Sequence, residues 1–132
     1  MSFGFGASDI ITISVLAWNV YKACRDSSEE FQRVAKEVKI LHITIKETEE
    51  LLDEYHWELS PSRRERLELI RESCAENLNE LQSHVQKYEQ LATPSQRVFD
   101  RMRFGLQDVS EIKQRIVATY TKLDAFNHVL SK

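Results

Sequence analysis

Glycine and proline are scarce in this sequence, with three glycines and two prolines among 132 residues. Because these two residues interrupt helices and shape tight turns, their scarcity favours long, uninterrupted helices. Runs in which Val, Thr and aromatic residues alternate with polar ones are also few, which argues against strands. The sequence therefore predicts an all-α domain that is large enough to bury a core of its own.

Cysteine is equally scarce. The two cysteines, Cys24 and Cys74, lie far apart, and each falls on the apolar side of a predicted helix, as is typical of small buried residues in a reducing compartment. No CxxC, HExxH or other paired Cys/His spacing is present, and the four histidines are scattered singly. We therefore expect no disulfide, no metal site and a cytoplasmic location.

The motifs of nucleotide and acyl-transfer chemistry are missing as well. There is no GxGxxG, no P-loop and no GxSxG, and carboxylate pairs such as Glu49 and Asp53 lie on a charged helix face where solvent keeps both ionised. A formal net charge of -3 gives no general attraction for nucleic acid or anionic lipid, so any such contact must come from a local patch. We expect no enzymatic activity, no cofactor and no nucleic-acid partner.

Charge is nearly absent from the stretch Met1 to Tyr21, where Asp9 is the single charged side chain in a protein that is 30% charged. This stretch predicts an apolar leading helix within residues 1–25. Its side chains at 3-4 spacing predict one core-facing stripe, formed by Ile10, Ile13, Ala17, Val20 and Cys24. Further apolar residues widen that stripe and leave a narrow polar strip of Asp9, Thr12 and Asn19.

Such a helix is either the central helix of a bundle or a segment that meets a partner or lipid, and a helix stored in the core can later be released. The side chains expected to enter the membrane are Phe3, Phe5, Ile10, Ile11, Ile13, Val15, Leu16 and Trp18. The stretch 1–21 approaches the roughly 20 residues that cross a hydrocarbon core, but Asp9, Asn19 and its glycines make it a poor permanent span. We therefore expect conditional insertion, as an oligomer.

Two long helices are predicted next, over residues 27–58 and 62–92. Ser27 and Glu30 match a capping box at the start of the first, and Pro61 is well placed to begin the second. Apolar residues recur at 3-4 spacing along both helices, as in a coiled coil. Because the link between them is short, they are predicted to form a long antiparallel hairpin.

A short basic amphipathic helix is predicted over residues 94–104, where Arg97, Arg101 and Arg103 flank an apolar side. These arginines are candidate contacts for lipid headgroups on an anionic membrane. The alternative is a lid whose aromatic residues close the end of the bundle. The last helix is predicted over 106–131, which completes one up-down four-helix bundle spanning the chain, with the short helix as an extra element.

Four stretches of the sequence resemble a known family: residues 1–11 (MSFGFGASDII), 17–24 (AWNVYKAC), 59–63 (LSPSR) and 99–105 (FDRMRFG). They are similar to the N-terminal domain common on fungal STAND proteins, which are NOD-like receptors built with an NTPase and repeats. More distantly, the chain resembles the HeLo and HeLo-like cell-death domains. Those are helical bundles whose N-terminal segment engages membranes.

The resemblance implies an effector domain of fungal innate immunity, attached to the NTPase and repeat domains of a longer parent chain. It implies that the domain oligomerises on command, moves from the cytoplasm to the plasma membrane and forms a pore that causes regulated cell death. The implied partners are further copies of the chain and membrane lipids. The three candidate arginines favour anionic lipids among these. Two other interpretations stay open: a signalling adaptor that dimerises without touching lipid, and a structural coiled-coil module.

Overall fold

The computed structural model describes residues 7–55, 59–90 and 105–131. These residues form four helices: α1 (Ala7–Arg25), α2 (Glu29–Tyr55), α3 (Pro61–Glu89) and α4 (Gly105–Leu130). No strand occurs in the three described ranges, and the predicted all-α class is confirmed. The predicted short helix at 94–104 lies outside the described residues.

The start of α3 follows directly from its sequence. Ser60 has an extended backbone, with φ at -60° and ψ at 155°, and its hydroxyl accepts a hydrogen bond of 3.2 Å from the backbone N–H of Arg63. Pro61 takes the first helical position, where its fixed φ suits the helix and its missing N–H leaves no bond unmade. The Ser-Pro pair therefore sets this boundary where the sequence predicts it.

Side-chain hydrogen bonds hold the turn between α1 and α2. The side-chain amide of Gln32 donates to the backbone carbonyls of Arg25, at 3.3 Å, and Ser27, at 3.1 Å. The Ser27 hydroxyl donates to the carboxylate of Glu89 in α3, at 2.7 Å. The Ser27 hydroxyl therefore ties the turn to α3 through the hydrogen that it donates, and the capping box predicted for Ser27 and Glu30, in which the same oxygen accepts, stays a prediction.

Side-chain contacts between helices fix the direction of each helix. Two neighbouring pairs are antiparallel: α1 with α2, through Trp18–His42 and Tyr21–Lys39, and α3 with α4, through Asn77–Thr119 and Glu80–Arg115. The helices α2 and α4 are parallel, because Glu37 meets Tyr120 and Thr48 meets Asn127. The directions therefore alternate along the chain, as in an up-down bundle.

The neighbours are not those that the sequence predicts. Both α1 and α4 pack against α2 and α3, so that α2 and α3 occupy diagonal corners of the bundle. The predicted hairpin of helices two and three is therefore wrong: its members run in opposite directions but do not pack side by side. Apolar periodicity defines which side of a helix faces the core, yet it carries no information on which helix lies next to it.

The core runs the length of the bundle and uses the apolar positions that the sequence predicts. Side chains from all four helices are fully buried at its centre, among them Ala17, Val20, Val38, Leu41, Leu78, Leu81, Ile112 and Ile116. Aliphatic side chains dominate this set, and each contributes about 1.5–3 kcal/mol of transfer free energy when fully buried.

A small polar network is buried between α2 and α4. The Thr48 hydroxyl donates to Oδ1 of Asn127 at 2.7 Å, and Nδ2 of Asn127 donates to the backbone carbonyl of Thr44 at 3.1 Å. On the other side of α4, Nδ2 of Asn77 donates to the Thr119 hydroxyl at 3.2 Å. Because a buried polar group is costly without its partner, these bonds fix the register of α4 against both of its neighbours.

Candidate functional site

The first helix has an inner face that belongs to the core. Its five residues are each no more than 4% exposed: Ile10, Ile13, Ala17, Val20 and Cys24. Three of them are large aliphatic side chains, so hydrophobic burial stabilises the inner face. The predicted core-facing stripe of this helix therefore lies in the core of the fold.

The outer face of α1 carries a second row of apolar side chains. Ile11 is 45% exposed, Val15 is 54% exposed and Trp18 is 39% exposed. Their spacing of i, i+4 and i+7 places them in one line along the helix. We call these three residues the apolar stripe. Thr12 and Asn19, which belong to the predicted polar strip, are exposed on the adjoining side of the helix.

Trp18 is the anchored member of the apolar stripe. The centroid of its ring system lies 5.3 Å from the ring of Tyr21 and 5.3 Å from the imidazole of His42 on α2. These contacts hold one part of the indole against the bundle while the rest stays in solvent. A tryptophan in this position presents a large, fixed apolar surface together with a polar N–H, which suits a boundary between water and an apolar phase.

Cations surround the ring of Tyr21 at the end of the stripe. The guanidinium of Arg25 lies 5.6 Å from the ring centroid and the ammonium of Lys39 lies 5.5 Å from it, both within cation–π range. The side chain of Arg25 also donates to Asp26 at 3.0 Å, and this hydrogen bond raises the pKa of Arg25 and lowers the pKa of Asp26. Lys39 makes no salt bridge with any residue that the structure describes. The cationic end of the stripe therefore keeps at least one charge without a carboxylate beside it.

His42 is the titratable group that touches the stripe. Partial burial against Trp18 lowers the pKa of this imidazole, Lys46 lowers it further, and Glu49 opposes the shift. Desolvation penalises the charged form, so His42 is neutral at pH 7. The stripe and its aromatic neighbours are accordingly an apolar surface with positive charge at one end.

The second helix adds exposed apolar residues that the sequence analysis did not assign to a site. Ile43 follows His42 and is 49% exposed, and Ile40 is 41% exposed. Both fall between the core positions of α2, where a solvated helix normally carries polar residues. That departure from the 3-4 pattern is a signal the sequence contains, and it gives α2 two exposed apolar side chains of its own.

The predicted membrane-entering residues divide between the core and the surface. Ile10 and Ile13 lie in the core, Leu16 is partly buried, and the apolar stripe is the part that reaches solvent. Several predicted site residues fall outside the described side chains: Phe3, Phe5, Asp9, Arg97, Arg101 and Arg103. The residues predicted to enter the membrane as one segment are therefore divided in this fold between the inner and the outer face of α1.

The described residues offer little reactive chemistry. Burial raises the pKa of the Cys24 and Cys74 thiols to about 12, so both thiols stay protonated at neutral pH and are poor nucleophiles. Within the same part of the chain, no group of three or more His, Cys, Asp or Glu side chains is placed to hold a metal ion. Nor does any described helix combine the length and the apolar character needed to cross a membrane.

No protein-family model, curated protein or solved structure matches this chain.

Proposed function

We propose that this chain is a membrane-targeting helical bundle that oligomerises and permeabilises the plasma membrane to cause regulated cell death, as the N-terminal effector domain of a fungal NOD-like receptor. The observation that carries the proposal is the division of α1 into a core-facing side and an exposed apolar stripe. The first side keeps the helix stored, and the second gives it an initial contact with lipid. The fungal origin and the parent receptor come from the sequence resemblance.

The folded bundle gains only a small binding free energy when it docks on a membrane through the apolar stripe. Full burial of such a side chain is worth about 1.5–3 kcal/mol of transfer free energy. Because about half of Ile11 and of Val15 is exposed, membrane contact would add about 1 kcal/mol for each. The exposed 39% of Trp18 corresponds to roughly 80 Å², which is worth about 2 kcal/mol. Lys39 adds about 1 kcal/mol near an anionic surface. The sum of about 5 kcal/mol is comparable to a single myristoyl chain, which anchors a protein only reversibly.

Weak docking fits an effector that acts as an oligomer. Copies held together bind the same membrane with a much higher overall affinity than one copy, because each further contact is made at high effective concentration. A single resting copy therefore leaves the membrane readily, and an assembled one stays. This dependence on assembly links the proposed oligomerisation to membrane targeting.

Insertion then requires the inner face of α1 to leave the core. Withdrawal of Ile10, Ile13 and Val20 into water costs about 5–9 kcal/mol in transfer free energy, which makes spontaneous release in solution rare. The hydrocarbon of a bilayer is an equally apolar environment for these side chains, so that cost is largely offset where the stripe has already docked. In this proposal, the membrane itself drives the release.

The test uses the whole chain with vesicles of anionic lipid and with vesicles of zwitterionic lipid. The variant Ile11→Ser/Val15→Ser is expected to bind anionic vesicles about tenfold to a hundredfold more weakly than the unaltered chain and to release less trapped dye. The matched control is Leu69→Ser, which removes an equally large side chain that is 59% exposed on α3. Equal binding by the stripe variant and the unaltered chain would contradict the proposal.

A signalling adaptor is the second candidate function. The i, i+4, i+7 spacing of the apolar stripe also matches the contact row of a helix that packs into a groove or against another helix. This candidate predicts a stable soluble oligomer that the Ile11→Ser/Val15→Ser variant loses, together with no vesicle binding by the unaltered chain. Dye release from anionic vesicles by the unaltered chain would exclude it as the sole function.

A further inference from the structure

Two groups of opposite charge lie at the same end of the bundle. The first is an acidic groove of about 300 Å³ between the last turns of α2 and the last turns of α4. Its charged residues are Glu47, Glu50, Glu54 and Asp124. The second is an arginine cluster in the first two turns of α3, formed by Arg63, Arg64 and Arg66.

Both groups oppose the electrostatics of their own helices. The C-terminal end of a helix is the negative end of its dipole, yet the last turns of α2 are rich in carboxylates and carry no basic residue in the final turn. The N-terminal end of a helix is the positive end, yet α3 begins with arginines and no acidic residue in its first turn. Of these charges, Glu54 in the last turn of α2 and Arg63 and Arg64 in the first turn of α3 lie close enough to a helix end to weaken it.

The two groups also have no ion-pair partners in the part of the chain that the structure describes. No salt bridge joins either group to any residue in the ranges 7–55, 59–90 and 105–131. Because these charges have no ion-pair partner among the described residues, they are available for a contact with another molecule.

We propose that the arginine cluster of one copy binds the acidic groove of the next copy, in a head-to-tail contact. The charges are complementary in sign, and the groove is concave, so the arginine side chains can enter it and pair with several carboxylates at once. Because the two surfaces differ, the contact is heterologous, and it builds rings or open filaments instead of closed dimers.

The topology determines how such an assembly is oriented. The end of the bundle that carries both groups holds the C-termini of α2 and α4 and the N-termini of α1 and α3, since α1 is antiparallel to α2. The groove lies between α2 and α4 and the arginine cluster lies on α3 at the same end of the bundle, so a contact between them joins copies side by side. Every copy in the assembly then presents the start of α1 on the same side, as a membrane-facing ring requires.

This inference rests on the self-association within the proposed function and is independent of lipid. The test therefore uses sedimentation velocity of the whole chain without vesicles, over a range of protein concentrations. The unaltered chain is expected to associate at low ionic strength. It is expected to dissociate at about 1 M salt, where the Debye length falls to about 3 Å.

Two charge-reversal variants test the two surfaces of the proposed contact one at a time. The arginine-reversed variant is Arg63→Glu/Arg64→Glu/Arg66→Glu, and the groove-reversed variant is Glu47→Lys/Glu50→Lys/Glu54→Lys. Each replaces attraction by repulsion, and each is expected to weaken self-association at least about tenfold. The substitutions at Glu54, Arg63 and Arg64 place the charge that suits the nearby helix end, so the variants are expected to stay folded, as circular dichroism would verify.

The decisive variant combines the two reversals. The single reversals change the net charge from -3 to -9 and to +3, since each replaced side chain alters it by two units, whereas the combined variant returns to -3. It restores complementary surfaces, so it is expected to associate as strongly as the unaltered chain. The control Arg33→Glu/Lys36→Glu/Lys113→Glu has the same net charge of -9 with the changes at the opposite end of the bundle, and it is expected to associate normally.

Three results would overturn the inference: no association of the unaltered chain at low ionic strength, failure of the combined variant to associate, or an equal loss in the control. A chain that associates as described but releases no dye from vesicles would contradict the proposed membrane function and leave this contact standing.

Discussion

Truncation of Ile13 tests whether α1 leaves the core as a unit. Ile13 is 4% exposed on the inner face of this helix. The substitution Ile13→Ala deletes buried carbon atoms and leaves a cavity, which costs about 2–5 kcal/mol. If the release of α1 removes Ile13 from the core while the other three helices stay packed, the variant lowers the free energy of release by a similar amount. At about 3 kcal/mol, the released population rises roughly a hundredfold.

The assay is the rate of dye release from anionic vesicles, measured beside urea denaturation of each variant. The matched control is Ile116→Ala, which makes the same substitution at a fully buried position of α4, the helix diagonal to α1. Both variants are expected to lose similar free energy of unfolding. Ile13→Ala is expected to release dye much faster than the unaltered chain, whereas Ile116→Ala changes the rate little.

Equal acceleration by the two variants would show that general unfolding, and not release of α1, exposes the membrane-active surface. A rate for Ile13→Ala no faster than that of the unaltered chain would refute the release step altogether.

Three further predictions follow from buried groups. Cys24 of α1 and Cys74 of α3 are both buried with pKa values raised to about 12, so alkylation of either thiol at pH 8 is expected to be slow in solution. Anionic vesicles should accelerate the labelling of Cys24 alone. Equal acceleration at both thiols would contradict the release of one helix. Thr48→Val is expected to lower the free energy of unfolding by about 1–3 kcal/mol, because it leaves Oδ1 of Asn127 buried without its donor. The double variant Thr48→Val/Asn127→Leu should lower it by less than the sum of the two single changes. Additive losses in urea denaturation would count against the network. In the folded chain the pKa of His42 lies below its ordinary value of 6.5, so the unfolded chain binds the proton first and stability should fall as the pH drops through about 6.5. The variant His42→Gln should show a weaker dependence of stability on pH in thermal melts at pH 5–7.5. An unchanged dependence would refute this role of His42.

The local features of the fold could be predicted from the sequence because they depend on neighbouring residues. The Ser60-Pro61 pair begins α3 through a side-chain cap and a fixed φ, both of which are properties of two adjacent residues. The inner face of α1 follows from 3.6-residue periodicity, so Ile13 and Val20 are buried where the pattern places them. Helix class and core-facing sides were thus determined by the sequence alone.

The role of Ser27 was decided by the tertiary structure. Its spacing to Glu30 matches a capping box, but in the fold its hydroxyl donates to Glu89, which is 62 residues away in sequence. A capping motif uses the hydroxyl oxygen as an acceptor and is readable from local spacing, whereas the donated bond to a distant carboxylate exists only once α3 is packed beside the turn.

The neighbours of each helix, and with them the candidate site, also depend on tertiary packing. An apolar helix face is satisfied by any complementary apolar face, so the periodicity of α2 and α3 is equally compatible with a hairpin and with the diagonal arrangement that the structure adopts. Specific long-range pairs, such as Thr48 with Asn127, fix the arrangement that forms. The same packing divides the apolar residues of α1: the sequence makes most of the helix apolar, and its packing into the bundle beside α2 and α3 determines that Ile13 is covered while Val15 meets solvent.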